Sequence, residues 1–282
     1  MAVGLGLLAA FLWGLTDFLI SVAGRSFGVH RSMLYAQSVG VLGIGAWILL
    51  SGTAPPATAS PEAWFAAVVS APLGVVATLA LYRGLKTGQV SVVTPITATF
   101  GAVTAILSLA TGERVGPFTL VGIGLVVVGA VLVGARRAKG EATTGSSGAL
   151  WGVFAAAAYG VQFWIQGRFA VPQLGGVWPV WIYYLISASL LLIAVPIRRA
   201  PMTIPLSGLP VVISTGTVAV GGFLALAAGL ATGEVAVVTV LASLQSAITV
   251  CLACLHHRER LAWPQWLGLA LTLLGLAAVH AG

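Results

Sequence analysis

Charge is what this chain most lacks. Only 7% of its 282 residues are Asp, Glu, Lys or Arg, against 59% hydrophobic residues and a mean hydropathy of +1.06. Soluble domains carry about a quarter charged residues. So few charges cannot cover a water-facing surface, which excludes a soluble globular protein and leaves lipid as the solvent over most of the chain. Acids are scarcest: there are six, and Asp17 is the single aspartate. Two cysteines, Cys251 and Cys254, lie in one apolar run. They exclude a disulfide framework. Followed by His256 and His257, they form a C-x-x-C that lacks the polar pocket and further ligands of a metal or redox site, and they read as small buried side chains. There is no G-x-x-x-x-G-K-[ST] loop, so ATP is not the direct energy source, and no H-E-x-x-H. The four histidines sit at loops or segment ends. No cofactor, no metal and no catalytic residues are expected, and the chain is not read as an enzyme. The N-terminus has no basic region and Asp17 interrupts its apolar stretch, so it reads as a retained membrane helix and not a signal peptide.

What the chain does have is long apolar runs. A bilayer core of about 30 Å is crossed by roughly 20 apolar residues in a helix. Ten segments meet that length, near 2–24, 31–51, 62–82, 89–110, 116–135, 148–168, 176–197, 206–230, 234–255 and 262–280. They must be helices, because lipid cannot satisfy open backbone groups and the runs are too long for barrel strands. The expectation is an all-α membrane protein. Its most polar stretch, from Ala135 to Gly148, reads as a flexible linker.

The chain also repeats itself. "GLKTGQVSVVT" (Gly84 to Thr94) returns 145 positions later as "GLATGEVAVVT" (Gly229 to Thr239), with eight of eleven residues kept. "FLWGLTDF" (Phe11 to Phe18) aligns at 146 with "AAYGVQFW" (Ala157 to Trp164), pairing Trp13 with Tyr159 and Gly14 with Gly160. "GERV" aligns with "RERL", pairing Glu113 with Glu259 and Arg114 with Arg260, and Gly122 and Gly129 fall opposite Gly268 and Gly275. The organisation expected is a five-helix unit at 1–135, a linker at 136–147 and a second unit at 148–282. Five is odd, so the second unit enters the membrane from the other side. Inverted repeats of this kind build alternating access around a site near the midplane.

Ten spans in two such units resemble the drug/metabolite transporter superfamily, in particular its EamA-like members. The resemblance covers the whole chain and is carried by "LWG" (Leu12 to Gly14), "LYRGLKTGQVSVVTPITATFGAVTAIL" (Leu81 to Leu107) and "GER" (Gly112 to Arg114). It implies a carrier of small solutes, with export as the family's leaning, and leaves the substrate open among amino acids, drugs, sugars and sugar phosphates. The second unit departs from the pattern: Val240 stands where Pro95 stands in the first, and an extra residue precedes "RERL". The halves are therefore not expected to be functionally equivalent.

The formal charge of +7 reads as membrane topology and not as a nucleic-acid surface. Eleven basic residues (Arg25, Arg31, Arg83, Lys86, Arg136, Arg137, Lys139, Arg198, Arg199, Arg258 and Arg260) fall in the loops after odd-numbered segments, and two, Arg114 and Arg168, fall in the others. The positive-inside rule then puts both termini outside the cytoplasm. The membrane expected is the bacterial cytoplasmic one.

Asp17 is the first candidate working residue. A carboxylate inside a span costs about 2.5–3.5 kcal/mol on insertion scales, so it is expected to face a wet cavity and serve proton coupling or bind a substrate amine. Trp13, one turn earlier, shares its face. The superfamily's small multidrug resistance members carry an essential acid in their first helix, a resemblance of place and charge only. In the sixth segment Tyr159, Gln162 and Gln166 form one stripe whose polar ends need partners. Pro95 is expected to kink the fourth segment and free backbone groups there. Thr94, Thr97 and Thr99 surround it, and Thr239, Ser243, Gln245 and Ser246 mark the ninth segment. The substrate-binding set expected is Trp13, Asp17, Tyr82, Thr94, Pro95, Thr97, Tyr159, Gln162, Gln166, Thr239 and Ser243. Arg83 reads as a snorkelling interface residue. Trp178, Trp181, Tyr183 and Tyr184 read as an aromatic belt at the headgroups. Glu113, Arg114, Glu259 and Arg260 read as turn or helix-end residues.

The function expected is secondary active transport of an amino acid or an amphipathic or cationic metabolite. Cationic charge is nearly absent from the spans, which argues against multiply charged anions. Lipid head-group flipping, or exchange of another metabolite class, is the alternative. The partners expected are the solute, membrane lipid and protons, without nucleic acid; monomer and homodimer both stay open.

Overall fold

The computed structural model describes residues 1–27, 29–87, 90–134, 147–197, 203–257 and 263–281, and among them there is no strand. The first unit holds α1 (Ala2–Phe27), α2 (Val29–Ser51), α3 (Pro61–Thr87), an interrupted span made of α4 (Val90–Thr97) and α5 (Phe100–Ala110), and α6 (Pro117–Gly134). The second holds α7 (Ser147–Ile165), which runs through a π-turn at Gln166–Ala170 into the short α8 (Val171–Leu174), then α9 (Val177–Ile197) and α10 (Leu209–Leu230). A second interrupted span follows, α11 (Val235–Ala242) and α12 (Gln245–His257), and α13 (Trp263–Ala281) closes the chain. These are the ten spans read from hydropathy, in two inverted five-span units. Six are long enough to cross a membrane alone; the four shorter apolar helices, Pro95–Ala110, Pro117–Val133, Val235–Thr249 and Trp263–Val279, are the last two spans of each unit.

The interruptions fall at Ala98–Thr99 and Ser243–Leu244, again 145 residues apart. In both, the second residue of the gap bonds three back instead of four: Thr99 N–H to the Ile96 carbonyl at 3.1 Å, and Leu244 N–H to that of Leu241 at 3.1 Å. Pro95 lies just before the first gap, but Val240 stands in its place before the second. The first break thus falls where Pro95 led one to expect it, and the second shows that a break at this place does not require proline.

Helix packing rests on glycines. A side-chain carbon on Gly122 would lie 2.7 Å from the Gly275 carbonyl oxygen, and one on Gly268 2.7 Å from that of Gly129. The repeat exchanges these two contacts, so α6 and α13 cross on a pseudo-two-fold axis. Small residues let backbones approach where lipid offers no hydrophobic drive between helices. The same exchange puts α1 against the α11–α12 span and α7 against the α4–α5 span. Around this frame the outward faces are apolar: Leu50 is 89% exposed, and Leu49, Phe65, Phe118, Leu150 and Leu273 are also exposed. In water such a surface would aggregate; against acyl chains it needs no cover.

Candidate functional site

Rings from both units meet between the two halves. Trp13 of α1 stacks on Phe163 of α7 at 5.6 Å between centroids, and Phe223 of α10 stands edge-on to Trp13 at 5.7 Å. Phe100 of α5 lies 5.4 Å from Phe163, and Tyr159 stacks on Phe163 at 6.1 Å and 6°. Tyr183 of α9 completes the layer, 4.6 Å from Phe223. Glycines make room for the rings: a side-chain carbon on Gly222 would lie 2.6 Å from Trp13 Cδ1, and one on Gly74 2.7 Å from Tyr183 Cε2. Gly40 sits closer still beneath Tyr184.

Polar groups are threaded through this layer. The hydroxyls of Tyr159 and Thr78 lie 2.6 Å apart. The Gln162 amide rests over Gly74, whose missing Cβ would come within 2.5 Å of its Oε1. Gln162 is 1% exposed and Gln166, in the π-turn, is fully buried. Neither amide has a hydrogen-bond partner among the described residues. Leaving such a group bare costs about 1–3 kcal/mol, so two adjacent ones call for an occupant or a function.

Asp17 lies one turn beyond Trp13, on the stretch of α1 that packs against α12, whose Thr249 donates to the nearby Gly14 carbonyl. Tyr82 of α3 and Tyr159 of α7 are close enough to feel its charge. Tyr82 is packed against Met33, Leu34 and Leu191. Of the residues expected from sequence, the structure thus gathers Trp13, Asp17, Tyr82, Tyr159 and Gln162 in one region between the units, with Gln166 one turn further along.

The hydroxyls of the interrupted spans are placed differently. Thr97 donates to its own helix at Val93 O (3.0 Å), Thr239 to Val235 O (2.7 Å) and Ser243 to Val240 O (2.6 Å), and all three are buried. Ser243 also lies under Gly101, where a Cβ would stand 3.0 Å from its Oγ. Pro95 is buried within α4; the side chain of Thr94 lies outside the described residues, as do Glu259 and Arg260. Arg83 is exposed, its guanidinium 5.1 Å above the Trp151 ring, as an interface residue would be.

The belt expected at the start of α9 holds only in part. Trp178 and Trp181 are half-buried and donate to the carbonyls of Ala54 (3.4 Å) and Val41 (3.2 Å). Tyr183 and Tyr184 are buried in the ring layer instead. The span is apolar around its whole circumference, so no amphipathic stripe in the sequence says which face turns inward.

Two residues that sequence reading passed over tie the units together. Thr104 Oγ1 of α5 donates toward its own Phe100 carbonyl at 3.1 Å and toward Gly160 of α7 at 2.9 Å. Thr249 Oγ1 of α12 does the same toward Gln245 at 2.9 Å and toward Gly14 of α1 at 3.2 Å. Thr104 and Thr249 are 145 residues apart, so the repeat itself was the signal that could have found them.

Outside the spans, Gly112 takes a φ of 101°, which favours glycine, and turns the chain so that Glu113 reaches the other unit. Both Glu113 carboxylate oxygens accept from the Ala236 N–H, at 3.0 and 3.1 Å, in the first turn of α11. A negative charge at a helix N-terminus is stabilising there. Burial pushes the Glu113 carboxyl above its ordinary value of 4.5, and the bond from Ala236 draws it part of the way back. A cavity of about 200 Å³ opens beside it, lined among others by Thr111, Arg168 and Val235.

A family model described as the EamA-like transporter family matches residues 1–135 and 146–280, nearly the whole chain in two pieces. A solved structure titled only "Crystal structure of protein" superposes with a TM-score of 0.81 at 19% identity, covering 98% of this chain and 95% of that one, which is a likeness of fold. No curated protein matches.

Proposed function

The chain belongs to the EamA-like transporter family, and from that premise we propose that it is a secondary carrier of a small organic solute in the bacterial cytoplasmic membrane, driven by protons and working outward. Its two units, 1–135 and 148–282, rock about the layer where they meet. The substrate class proposed is an amino acid or an amphipathic or cationic metabolite. The observation that carries this reading is the placement of Asp17 beside Trp13 and the stacked rings, with the unpaired amides of Gln162 and Gln166 further into the same interface. A carboxylate attracts an amine, ring faces attract cations, and amides bind a carboxylate or carbonyl. The hydroxyls of Thr97, Thr239 and Ser243 are held by their own helices, so we weight the site on Trp13, Asp17, Tyr82, Tyr159, Gln162 and Gln166.

The test is counterflow in proteoliposomes loaded with single amino acids and organic amines, wild type against Asp17→Asn. A carrier exchanges labelled solute for unlabelled. With Asn at 17, exchange is expected to lose its pH dependence. Exchange that keeps the wild-type pH profile removes Asp17 from proton coupling, and scrambling of labelled phospholipid without solute exchange favours a flippase.

A further inference from the structure

Contacts at the ring layer fix the register of α2, α3 and α9. α2 runs antiparallel to α9: Gly40 faces Tyr184, and Leu34 packs with Leu191. Gln37, midway between, therefore falls level with Ser187. α3 runs parallel to α9: Gly74 faces Tyr183, and Tyr82 packs with Leu191. Thr78, midway between, falls level with Ser187 too. α7 joins through Tyr159, whose hydroxyl lies 2.6 Å from that of Thr78, and through the Gln162 amide over Gly74, one turn away.

The polar groups at this level do not satisfy one another. Ser187 is fully buried, yet its hydroxyl makes no hydrogen bond. Helix serines can donate to a carbonyl of the preceding turn, as Ser189 does to Leu185 at 2.8 Å. Gln37 Oε1 is buried and unpaired as well, and so are both polar ends of Gln162. The Tyr183 hydroxyl lies near Gln37, Ser187 and Thr78, but its single proton could serve only one of them. Thr78 donates to the Gly74 carbonyl at 2.8 Å, so the phenol of Tyr159 donates to Thr78 and its own lone pairs are left to accept. Unserved donors and acceptors from α2, α7 and α9 thus converge. No described cation stands among them: Arg31 donates to the Thr203 carbonyl at 2.7 Å, Arg83 lies over Trp151, and Arg114 and Arg168 are exposed. An anion here would lose its water without gaining a counter-charge, a far larger cost than one unmade hydrogen bond.

We propose that Gln37, Tyr159, Gln162 and Ser187 form a subsite for an uncharged, hydrogen-bonding end of the solute, a carboxamide being the group that fits it best. Its N–H groups serve the Gln37 and Tyr159 oxygens; its carbonyl takes the Ser187 hydroxyl or the Gln162 amide. The inference rests on the carrier reading and narrows its substrate class to amines whose far end is polar and neutral. Gln37 and Ser187 enter the site here for the first time.

Calorimetric titration of the protein in lipid nanodiscs tests it, with alkyl amines that end in a carboxamide, a carboxylate or an isopropyl group, each in several chain lengths. The carboxamides are expected to bind about tenfold tighter than the isopropyl set, the order that one buried hydrogen bond made or unmade implies, and the carboxylates weakest. Ser187→Ala and Gln37→Leu should each weaken carboxamide binding about tenfold and leave the isopropyl set unchanged. Without ligand, Ser187→Ala should melt no lower than wild type, since its hydroxyl has no partner to lose. Equal affinities across the three sets, as a chamber holding only water would give, overturn the proposal. So do binding by none of them, a preference for carboxylate, a carboxamide preference that survives in both variants, or a Ser187→Ala midpoint well below wild type. Carboxamide binding without counterflow fails the transport reading and leaves the subsite standing. Counterflow of another solute with no carboxamide preference fails the inference alone.

Discussion

Glu113 and Ala236 belong to opposite units, and both carboxylate oxygens of Glu113 accept the single N–H of Ala236, at 3.0 and 3.1 Å. The loop that ends one interrupted span thus caps the beginning of the other.

Replacing Glu113 with Ala removes that cap and is expected to lower stability by about 0.5–2 kcal/mol, the range for a lost N-terminal cap. Thermal melting in detergent measures it, and an unchanged midpoint would show that the contact contributes nothing.

Glu113→Gln isolates the charge. Because the folded carboxyl is raised above 4.5, the folded chain binds its proton more tightly than the unfolded one. The cost of ionisation is then absent below 4.5 and fully present above the raised value, so stability at this site falls as pH rises. The wild-type melting midpoint should drop relative to Glu113→Gln between acid and neutral pH. A wild-type midpoint that instead rises relative to the variant over that interval contradicts the sign.

Gly14 and Gly160 should respond alike to alanine. A Cβ on Gly14 would stand 2.7 Å from that of Ile248 and 2.9 Å from the Gln245 carbonyl oxygen; one on Gly160 would stand 2.5 Å from that of Val103 and 3.0 Å from the Phe100 carbonyl oxygen. Overpacking at such sites costs about 1–3 kcal/mol. Melting midpoints of the two single variants should fall together, and a large effect at one site with none at the other would break the equivalence of the units.

The α6–α13 crossing offers a sharper contrast. Gly129→Leu would drive a side chain into the Gly268 backbone, 2.7 Å from an ideal Cβ, whereas Gly124 has nothing within 4 Å and faces outward. Size-exclusion profiles of fluorescent fusions should show Gly129→Leu aggregated and Gly124→Leu monodisperse.

Topology is checked at the C-terminus. With eleven basic residues on one side and two on the other, an alkaline phosphatase fused after Gly282 is expected to be active and a green fluorescent protein there dark. The opposite pair of results places both termini in the cytoplasm.

Much of this could be read before any coordinates. The duplication was visible in "GLKTGQVSVVT" and its echo, and glycines 122, 129, 268 and 275 were marked by their shared offset. Pro95 announced a break in the fourth segment. The ninth carries no such mark, since Val240 is a residue that helices accept, yet it breaks at the equivalent place. Tyr183 and Tyr184 were misread as a belt because every face of α9 is apolar. Thr104 and Thr249 look like any helix threonine until their second acceptor, on another helix, is seen.

The sequence alone determined that the chain lives in lipid, as ten helices in two head-to-tail units. Composition and run length answer to the bilayer's thickness and its lack of hydrogen bonds, and those do not depend on how helices meet. Which face of each helix turns inward, and which neighbour an Asp or a Thr finds there, was decided only by the tertiary structure. Apolar helices in an apolar solvent carry little pattern to orient them, and close backbone contacts at glycine between residues more than a hundred positions apart settle the matter.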